Sequence, residues 1–225
     1  MDIEKTFSAI GGVFLKQVSQ IKSELAAVEA FIFDWDGVFN DGFKSGGEGS
    51  PFSEIDSMGI NFLRFSRWLT SKEIPPVFII TGENNPNAIH LSKRECYNAI
   101  FRNFKDKRLA LNIIGENYNI QKEHVAVVFD DILDIGIAGA CRLAFCVGRK
   151  STPLFEKYLQ DNEICDYITG SSGSDHAVRE ICELILALEN NYESTLRHRI
   201  DFSPEYQQYL KERSRIEPEI FEGKK

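Results

Sequence analysis

The sequence lacks the long apolar run of about 18 residues that a membrane-spanning helix needs. Its first residues include Asp2 and Glu4 rather than the basic start of a secretory signal peptide. It also lacks an excess of basic residues, because the net charge is −8 and the sequence pI is near 5.1. A surface for nucleic acid or for an anionic membrane is therefore not expected. We predict a cytoplasmic protein with neither kind of partner.

Paired cysteines and clustered histidines are also missing. The five cysteines are scattered and include no CxxC pair, so we interpret them as reduced core residues. The four histidines do not have the spacing of zinc ligands, and no zinc site is predicted. No internal repeat or low-complexity tract is present.

What the chain does contain is an alternation of short apolar runs with helical patterns. Its 225 residues, 43% of them hydrophobic, are enough for one large domain or two small ones. Strands separated by helices of this length predict a doubly wound α/β fold with a parallel sheet buried on both faces. We predict strands at 30–33, 76–80, 99–101, 125–129, 143–147 and 167–168. We predict helices at 57–69, 86–97, 106–117, 134–140, 153–160 and 177–188.

Three segments lie outside this alternation. Residues 3–27 have helical spacing, with Gly11-Gly12 as a point where the helix could break. Residues 42–55 predict a small β-hairpin whose tip is 45–50. Beyond residue 189 the chain is polar, and a helical appendage, a partner-binding arm or a partly disordered tail are all open. The predicted division is an N-terminal extension (1–28), a main domain (29–188) and a C-terminal extension (189–225).

Residues 31–42 are the most informative segment, because an apolar run leads into Asp34 and Asp36 and then a glycine turn. Side chains at i and i+2 project from the same side of an extended backbone. Such a pair suits a hard divalent cation, which takes oxygen ligands, or a carboxylate nucleophile. A plain strand followed by an Asp-Gly turn is the alternative.

Three further predicted strand ends carry suitable groups: Thr81, a lysine near 107, and the acids of 130–134. In an open parallel sheet, ligands bind outside the carboxyl ends of the strands. Each group alone has an ordinary explanation, such as a helix N-cap for Asp130-Asp131 or a solvated face for Lys107. Their occurrence in order along one α/β chain favours a single site.

In these positions the chain resembles the haloacid dehalogenase superfamily of phosphotransferases. The motifs are DxDGVxxDG at 34–42, Thr81-Gly82, Lys107 (with Lys105 as the alternative) and the acids of 130–134. Within that superfamily, residues 52–60 and the Gly-rich stretch 170–180 resemble the capless 3-deoxy-D-manno-octulosonate 8-phosphate phosphatase group. The similarity covers about residues 29–188.

The resemblance implies a Mg²⁺-dependent phosphatase for a small phosphorylated sugar or sugar acid. It makes Asp34 the nucleophile that forms an aspartyl-phosphate, and Asp36 the general acid and base. It assigns Mg²⁺ to Asp34, the Asp36 carbonyl and Asp130, with Asp131 and Asp134 close by or reaching the ion through water. The residues that it assigns to substrate binding are Thr81, Gly82, Lys107, Asp41 and His176. It also implies a homo-oligomer, favouring a tetramer in which a neighbouring subunit shields the site, with Phe43 and Phe52 as candidate interface residues.

Several residues depart from the family pattern, including Ser174-Asp175-His176, where the loop usually carries a basic residue. Phe129 stands where a glycine is usual, Trp35 where a small residue is usual, and Glu83 and Ile55 where the octulosonate phosphatases carry arginine. Because arginine binds carboxylates in a bidentate manner, these last two changes affect the expected substrate more than the expected chemistry. A catalytically weak relative that serves as a binding or assembly subunit is the main alternative. A phosphotransferase or a phosphonate-type hydrolase that uses the same nucleophile is a third.

Overall fold

One mainly parallel sheet organises the part of the chain that the computed structural model describes, which is residues 2–44, 47 and 49–223. The strand order is β1-β7-β6-β5-β2-β3-β4-β8, and only β1 and β7 are antiparallel neighbours. The strands are β1 Val13–Phe14, β2 Ala30–Asp34, β3 Val77–Ile80, β4 Ala99–Arg102, β5 Val125–Phe129, β6 Leu143–Cys146, β7 Tyr167–Ile168 and β8 Glu219–Glu222.

Helices connect the strands and cover both faces of the sheet, which confirms the doubly wound α/β prediction. They are α1 Ile3–Ser8, α2 Val18–Leu25, α3 Glu54–Ser71, α4 Pro86–Arg94, α5 Lys107–Tyr118, α6 Ile135–Ala138, α7 Pro153–Asp161, α8 Ala177–Leu188, α9 Tyr192–Ile200 and α10 Pro204–Arg213. No helix within the described residues is long and apolar enough to cross a membrane.

The central strand β2 shows how the sheet separates two cores. Phe31 and Phe33 pack on one face with residues of α1–α4 and α8, whereas Ala30 and Ile32 pack on the other with residues of α5–α7. Successive side chains of a strand point to opposite faces, so a strand buried on both sides must be apolar throughout. All five residues of β2 are accordingly buried, and its last one is Asp34.

The N-terminal segment differs from the single helix predicted for residues 3–27. Two helices flank the short strand β1, which pairs with β7 through Val13 opposite Ile168. The chain turns between α1 and β1 at Gly11, whose φ of +99° suits glycine. Helical periodicity hid this strand, because two residues are too few to produce an alternating pattern of their own.

The predicted hairpin at 42–55 is not observed either. The described residues of this segment form no strand, and residues 45, 46 and 48 of the predicted tip lie outside the described residues. Ser53 caps α3 by accepting a hydrogen bond from Ile55 N, so the helix begins three residues before the predicted start at 57. The described residues between β2 and α3 therefore form a loop, and they contain no cap domain.

The C-terminal segment packs onto the rest of the molecule as two helices and a strand. Tyr206 and Tyr209 of α10 pack against Phe65 and Trp68 of α3 in a small aromatic cluster. Strand β8 then pairs in parallel with β4, with Phe221 opposite Phe101. The helical appendage is the alternative that the structure supports, and the chain adds an edge strand that was not predicted.

Candidate active site

The candidate site is a cavity of about 360 Å³ beyond the carboxyl ends of β2, β3 and β5, where a parallel sheet places ligands. Carboxylates and ammonium groups dominate its lining. The lining residues are Asp34, Asp36, Lys44, Gly82, Glu83, Lys105, Lys107, Asp130, Asp131, Leu133 and Asp134. The structure thus brings the predicted strand-end groups of β2 and β5 together with the predicted lysine.

Three buried carboxylates form the centre of the site. One oxygen from each of Asp34, Asp130 and Asp134 lies within 4.8 Å of the others. Asp34 ends β2, Asp130 follows β5, and Asp134 ends a single helical turn at Ile132–Asp134. Because β2 and β5 are parallel neighbours with Phe33 opposite Val128, both strands deliver their acids to the same edge.

Lys107, the first residue of α5, is the main cation of this centre. Its Nζ lies 2.5 Å from Asp34 Oδ1 and also donates a hydrogen bond to Asp134 Oδ1. The side chain is buried, and the two carboxylates raise the pKa of the lysine although burial opposes this. Lys105, the alternative lysine, also lines the cavity but is exposed.

Arg149 is a second cation at the centre, and sequence reasoning missed it. It follows β6, and its Nη2 donates to Asp130 Oδ2 at 2.6 Å. Its backbone N–H is held by Glu156 Oε1 at 3.0 Å. Gly37 closes over this pair, since a Cβ there would lie 2.0 Å from Asp130 Oδ2. Only its place after a predicted strand end could have indicated this role.

The three acids form a donor set that fits a hard divalent cation. Burial, and then the negative charge of Asp34, raise the pKa of both Asp130 and Asp134. Crowded carboxylates resist ionising together unless a cation compensates them. Carboxylate oxygens are also the ligands that Mg²⁺ prefers, and this ion binds one or two carboxylates while keeping several waters. Residues Asp34, Asp130 and Asp134 could therefore hold such an ion.

Asp36 lies at the side of the cavity and has two different neighbours. Its Oδ1 accepts a hydrogen bond from the hydroxyl of Ser50, and its Oδ2 lies 3.4 Å from Lys44 Nζ. It is half-buried, whereas Ser50 is completely buried. Asp36 and Asp34 are thus in the same cavity, as the i, i+2 spacing predicts, but Asp36 is not in the group of three close acids.

The residues that follow β3 contribute mainly backbone atoms and the exposed side chain of Glu83 to the cavity. Thr81 is buried, and its Oγ1 accepts a hydrogen bond from Glu83 N at 3.3 Å. Gly82 and Glu83 line the cavity, whereas Thr81 is not among its lining residues.

Three other predicted site residues lie apart from the close acids. Asp41 accepts a hydrogen bond from Phe43 N at 3.0 Å within its own turn, and it does not line the cavity. His176 Nδ1 instead lies 3.3 Å from the buried Asp56. Asp131 lines the cavity, but its Oδ1 accepts from Ile132 N at 2.7 Å, and Asp134 takes the third place among the acids.

The two bulky residues that depart from the family pattern pack into the cores. Phe129 is completely buried on the α5–α7 side of the sheet. Trp35 is completely buried on the opposite side, where its ring stacks on Phe39 with centroids 4.8 Å apart. Neither is among the residues that line the cavity.

No protein-family model matches the chain. Individual proteins do. The chain is 28% identical over 178 residues to the 3-deoxy-D-manno-octulosonate 8-phosphate phosphatase KdsC of Yersinia pestis, covering 75% of this chain and 84% of that protein. It is 29% identical over 167 residues to the KdsC protein of Salmonella typhimurium, covering 71% and 79%.

Solved structures are similar over most of their length. The 3-deoxy-D-manno-octulosonate 8-phosphate phosphatase of Moraxella catarrhalis, in complex with magnesium, phosphate and KDO, superposes with a TM-score of 0.66 at 26% identity, covering 80% of this chain and 98% of that one. A probable YrbI family phosphatase of Pseudomonas syringae gives 0.67 at 25% identity, covering 81% and 98%. In sequence and in fold, the chain is similar to 3-deoxy-D-manno-octulosonate 8-phosphate phosphatases of the haloacid dehalogenase superfamily.

Proposed function

We propose that the protein is a Mg²⁺-dependent phosphomonoester hydrolase that works through an aspartyl-phosphate. The observation that carries the proposal is the position of Asp34, which contacts the buried ammonium group of Lys107 and shares one centre with Asp130 and Asp134. The relatives named as phosphatases of 3-deoxy-D-manno-octulosonate 8-phosphate support a small phosphorylated sugar or sugar acid as the substrate.

Charge explains why such a site needs cations. A carboxylate approaches a phosphate dianion poorly, because the two negative charges repel each other. Asp34, Asp130 and Asp134 would hold Mg²⁺, which when bound would neutralise part of the charge on the phosphoryl oxygens. The resemblance adds the carbonyl of Asp36 and, through water, Asp131. Lys107 supplies a fixed positive charge next to the attacking oxygen.

In the first step, a carboxylate oxygen of Asp34 forms a bond to phosphorus as the bond from phosphorus to the substrate oxygen breaks. The electron pair of the broken bond stays on the leaving oxygen. A protonated Asp36 gives that oxygen its proton, so the alcohol leaves neutral. Asp36 lines the same cavity as Asp34, as this role requires.

In the second step, water attacks the phosphorus of the aspartyl-phosphate and the bond to Asp34 breaks. Asp36, now a carboxylate, takes a proton from the attacking water. Phosphate leaves, and both aspartates return to their starting states. We assign Lys107 and the backbone around Thr81-Gly82 to the phosphoryl oxygens, and keep Asp41 and His176 as proposed contacts for the rest of the substrate.

Access to the site also bears on assembly. The described residues between β2 and α3 contain no cap domain, and water must be kept from the aspartyl-phosphate until the alcohol has left. We therefore keep a homo-oligomer, with a tetramer favoured, as part of the proposal. Phe43 is 69% exposed and suits an interface, whereas Phe52 packs partly buried against the core. Light scattering after size-exclusion chromatography measures the assembly directly.

The central experiment is an assay of the purified protein with 4-nitrophenyl phosphate, with and without Mg²⁺. We expect release of phosphate that requires the ion and stops with EDTA. A panel of sugar phosphates, including 3-deoxy-D-manno-octulosonate 8-phosphate, then ranks the substrates by kcat/KM. Absence of turnover on every compound with Mg²⁺ present would contradict the proposal and favour the binding-subunit alternative.

A further inference from the structure

Ser50 lies in the loop 35–53 next to the candidate acid and base of the reaction. It is completely buried, and its hydroxyl hydrogen-bonds to Asp36 Oδ1. We propose that Ser50 is a positioning residue that fixes which oxygen of Asp36 exchanges the proton. The inference rests on the proposed phosphatase function and goes beyond it, because it concerns a loop residue outside the strand-end motifs.

The direction of this hydrogen bond follows from the other two partners of Ser50. Trp35 Nε1 lies 2.9 Å from Ser50 Oγ, and an indole N–H can only donate. Asn85 Nδ2 lies 2.7 Å from the same atom. The amide of Asn85 is oriented by its Oδ1, which accepts from Asn87 N at 3.1 Å at the start of α4, so its NH₂ group faces Ser50.

A hydroxyl has one proton to donate and two lone pairs to accept with. Because Trp35 and Asn85 fill both lone pairs of Ser50, its proton must go to Asp36 Oδ1. This oxygen can accept that hydrogen bond in both protonation states of Asp36. The carbonyl oxygen of a carboxylic acid accepts a hydrogen bond better than its hydroxyl oxygen does, so when Asp36 is protonated this contact favours the proton on Oδ2.

The Oδ2 atom of Asp36 lies beside another residue of the cavity lining. Lys44, which lines the cavity, has its Nζ 3.4 Å from this oxygen. In the first step the proton on Oδ2 passes to the leaving oxygen, which keeps the electron pair of its bond to phosphorus. In the second step Oδ2 takes a proton from water. Ser50 keeps its own proton throughout and transfers none.

The surroundings hold the three hydrogen-bonding groups in place. Trp35 is fixed by stacking on Phe39, with ring centroids 4.8 Å apart. Asn85 is buried at the N-cap of α4. Gly49 has a φ of +74°, and a Cβ there would lie 2.6 Å from Asn85 Oδ1, so only glycine lets the chain pass this close. Because all its hydrogen-bond partners are fixed, the buried hydroxyl of Ser50 can hold the Asp36 carboxylate in one orientation.

The test uses aryl phosphates of matched size, from 4-nitrophenyl to 4-methoxyphenyl phosphate, with Mg²⁺ present. A nitrophenolate leaves without a proton, whereas a methoxyphenolate needs one. For Ser50→Ala we expect kcat/KM to fall less than about threefold for 4-nitrophenyl phosphate and at least about tenfold for 4-methoxyphenyl phosphate. The matched control is Ser92→Ala, because Ser92 is equally buried but donates to Ala88 O in α4.

A merely structural role of Ser50 would lower kcat/KM by the same factor for every aryl phosphate, and that result would overturn the inference. If Ser50→Ala does not fold, Trp35→Phe is the variant that tests the inference. It keeps an aromatic ring at this position but removes the indole N–H, which frees one lone pair of the Ser50 hydroxyl. Trp35→Phe should also lower kcat/KM more for 4-methoxyphenyl phosphate than for 4-nitrophenyl phosphate, but the difference between the two should be smaller, about threefold. If the wild-type protein hydrolyses neither the aryl phosphates nor any sugar phosphate of the panel, the proposed function fails and this inference fails with it.

Discussion

Lys107 Nζ lies 2.5 Å from Asp34 Oδ1, and the same ammonium group also contacts Asp134. The lysine therefore balances two of the three carboxylates that crowd the end of the sheet. Removing one partner of a buried ion pair leaves an uncompensated charge in a poorly solvated place. The stability of the fold and the chemistry of the site thus depend on the same side chain.

For Lys107→Met we expect the free energy of unfolding without metal to fall by about 3 kcal/mol. Added Mg²⁺ should restore more stability to this variant than to the wild type, because the ion takes over the missing positive charge. Lys105→Met is the control, since Lys105 is exposed and its loss should change stability by less than about 0.5 kcal/mol. Urea unfolding with and without Mg²⁺ measures both, and equal losses in the two variants would contradict the expectation.

Asp34→Asn should abolish turnover while the fold persists. An amide cannot form the aspartyl-phosphate, so we expect kcat to fall at least about a thousandfold. Circular dichroism should show an unchanged spectrum. Mass spectrometry of acid-quenched reactions should detect a phosphorylated wild-type chain and none in the variant. Turnover retained by Asp34→Asn would remove the covalent mechanism.

The grouping of the acids predicts which of them controls metal binding. Asp130→Asn should weaken Mg²⁺ binding at least about tenfold, because Asp130 is one of the three close acids. Asp131→Asn should weaken it less than about threefold, because that carboxylate bonds to Ile132 N. Isothermal titration calorimetry gives both constants. The reverse order would mean that Asp131 rather than Asp134 completes the site.

Mg²⁺ affinity should also rise with pH. Burial and the charge of Asp34 raise the pKa of Asp130 and Asp134. A fraction of the metal-free molecules therefore carries a proton on one of these carboxyls, and Mg²⁺ must displace that proton to bind. Titrations in buffers of different ionisation enthalpy should therefore detect proton release on binding. Binding without release of protons would show that both carboxyls are already ionised in the apo protein.

Asp56 gives a pH dependence of stability that is independent of the metal. Burial raises its pKa from 3.8 to about 6, although its hydrogen bonds to His176 and to Arg179 N oppose the shift. The folded state then binds this proton more tightly than the unfolded state. The stabilisation is complete below about pH 4 and is lost as the pH rises through about 6, by up to about 3 kcal/mol.

Asp56→Asn keeps an acceptor for Arg179 N but cannot titrate. Urea unfolding at intervals between pH 4 and 7 should therefore show a shallower loss of stability with rising pH in the variant than in the wild type. Parallel curves for the two proteins would contradict the raised pKa of Asp56.

Much of the fold was readable because its strands are apolar throughout and end in polar residues. The runs at 125–129 and 167–168 match β5 and β7, and the predicted helix at 177–188 matches α8. The acids Asp34 and Asp130 were found for the same reason, since parallel neighbours end at the same edge. Strand β1 was not predicted, because its two residues lie within a segment of helical spacing and its partner β7 lies far along the chain.

The rest of the site depends on contacts that local sequence does not encode. Arg149 reaches Asp130 from the end of β6, and nothing in its neighbouring residues indicates that contact. Ser50 reaches Asp36 from a loop that reads as a turn-rich segment. The position of Asp134 beside Asp34 and Asp130 follows from a single helical turn at 132–134, whereas Asp131 caps that turn by accepting a hydrogen bond from Ile132 N.

The parallel pairing of β8 with β4 has a consequence during synthesis. Until Glu219–Glu222 leave the ribosome, β4 presents a row of unpaired amide and carbonyl groups to any other nascent chain. A product that stops short of these residues should therefore self-associate. Strand β8 is held in place by side chains beside it, since Glu219 accepts a hydrogen bond from Tyr118 and Glu222 pairs with Arg102.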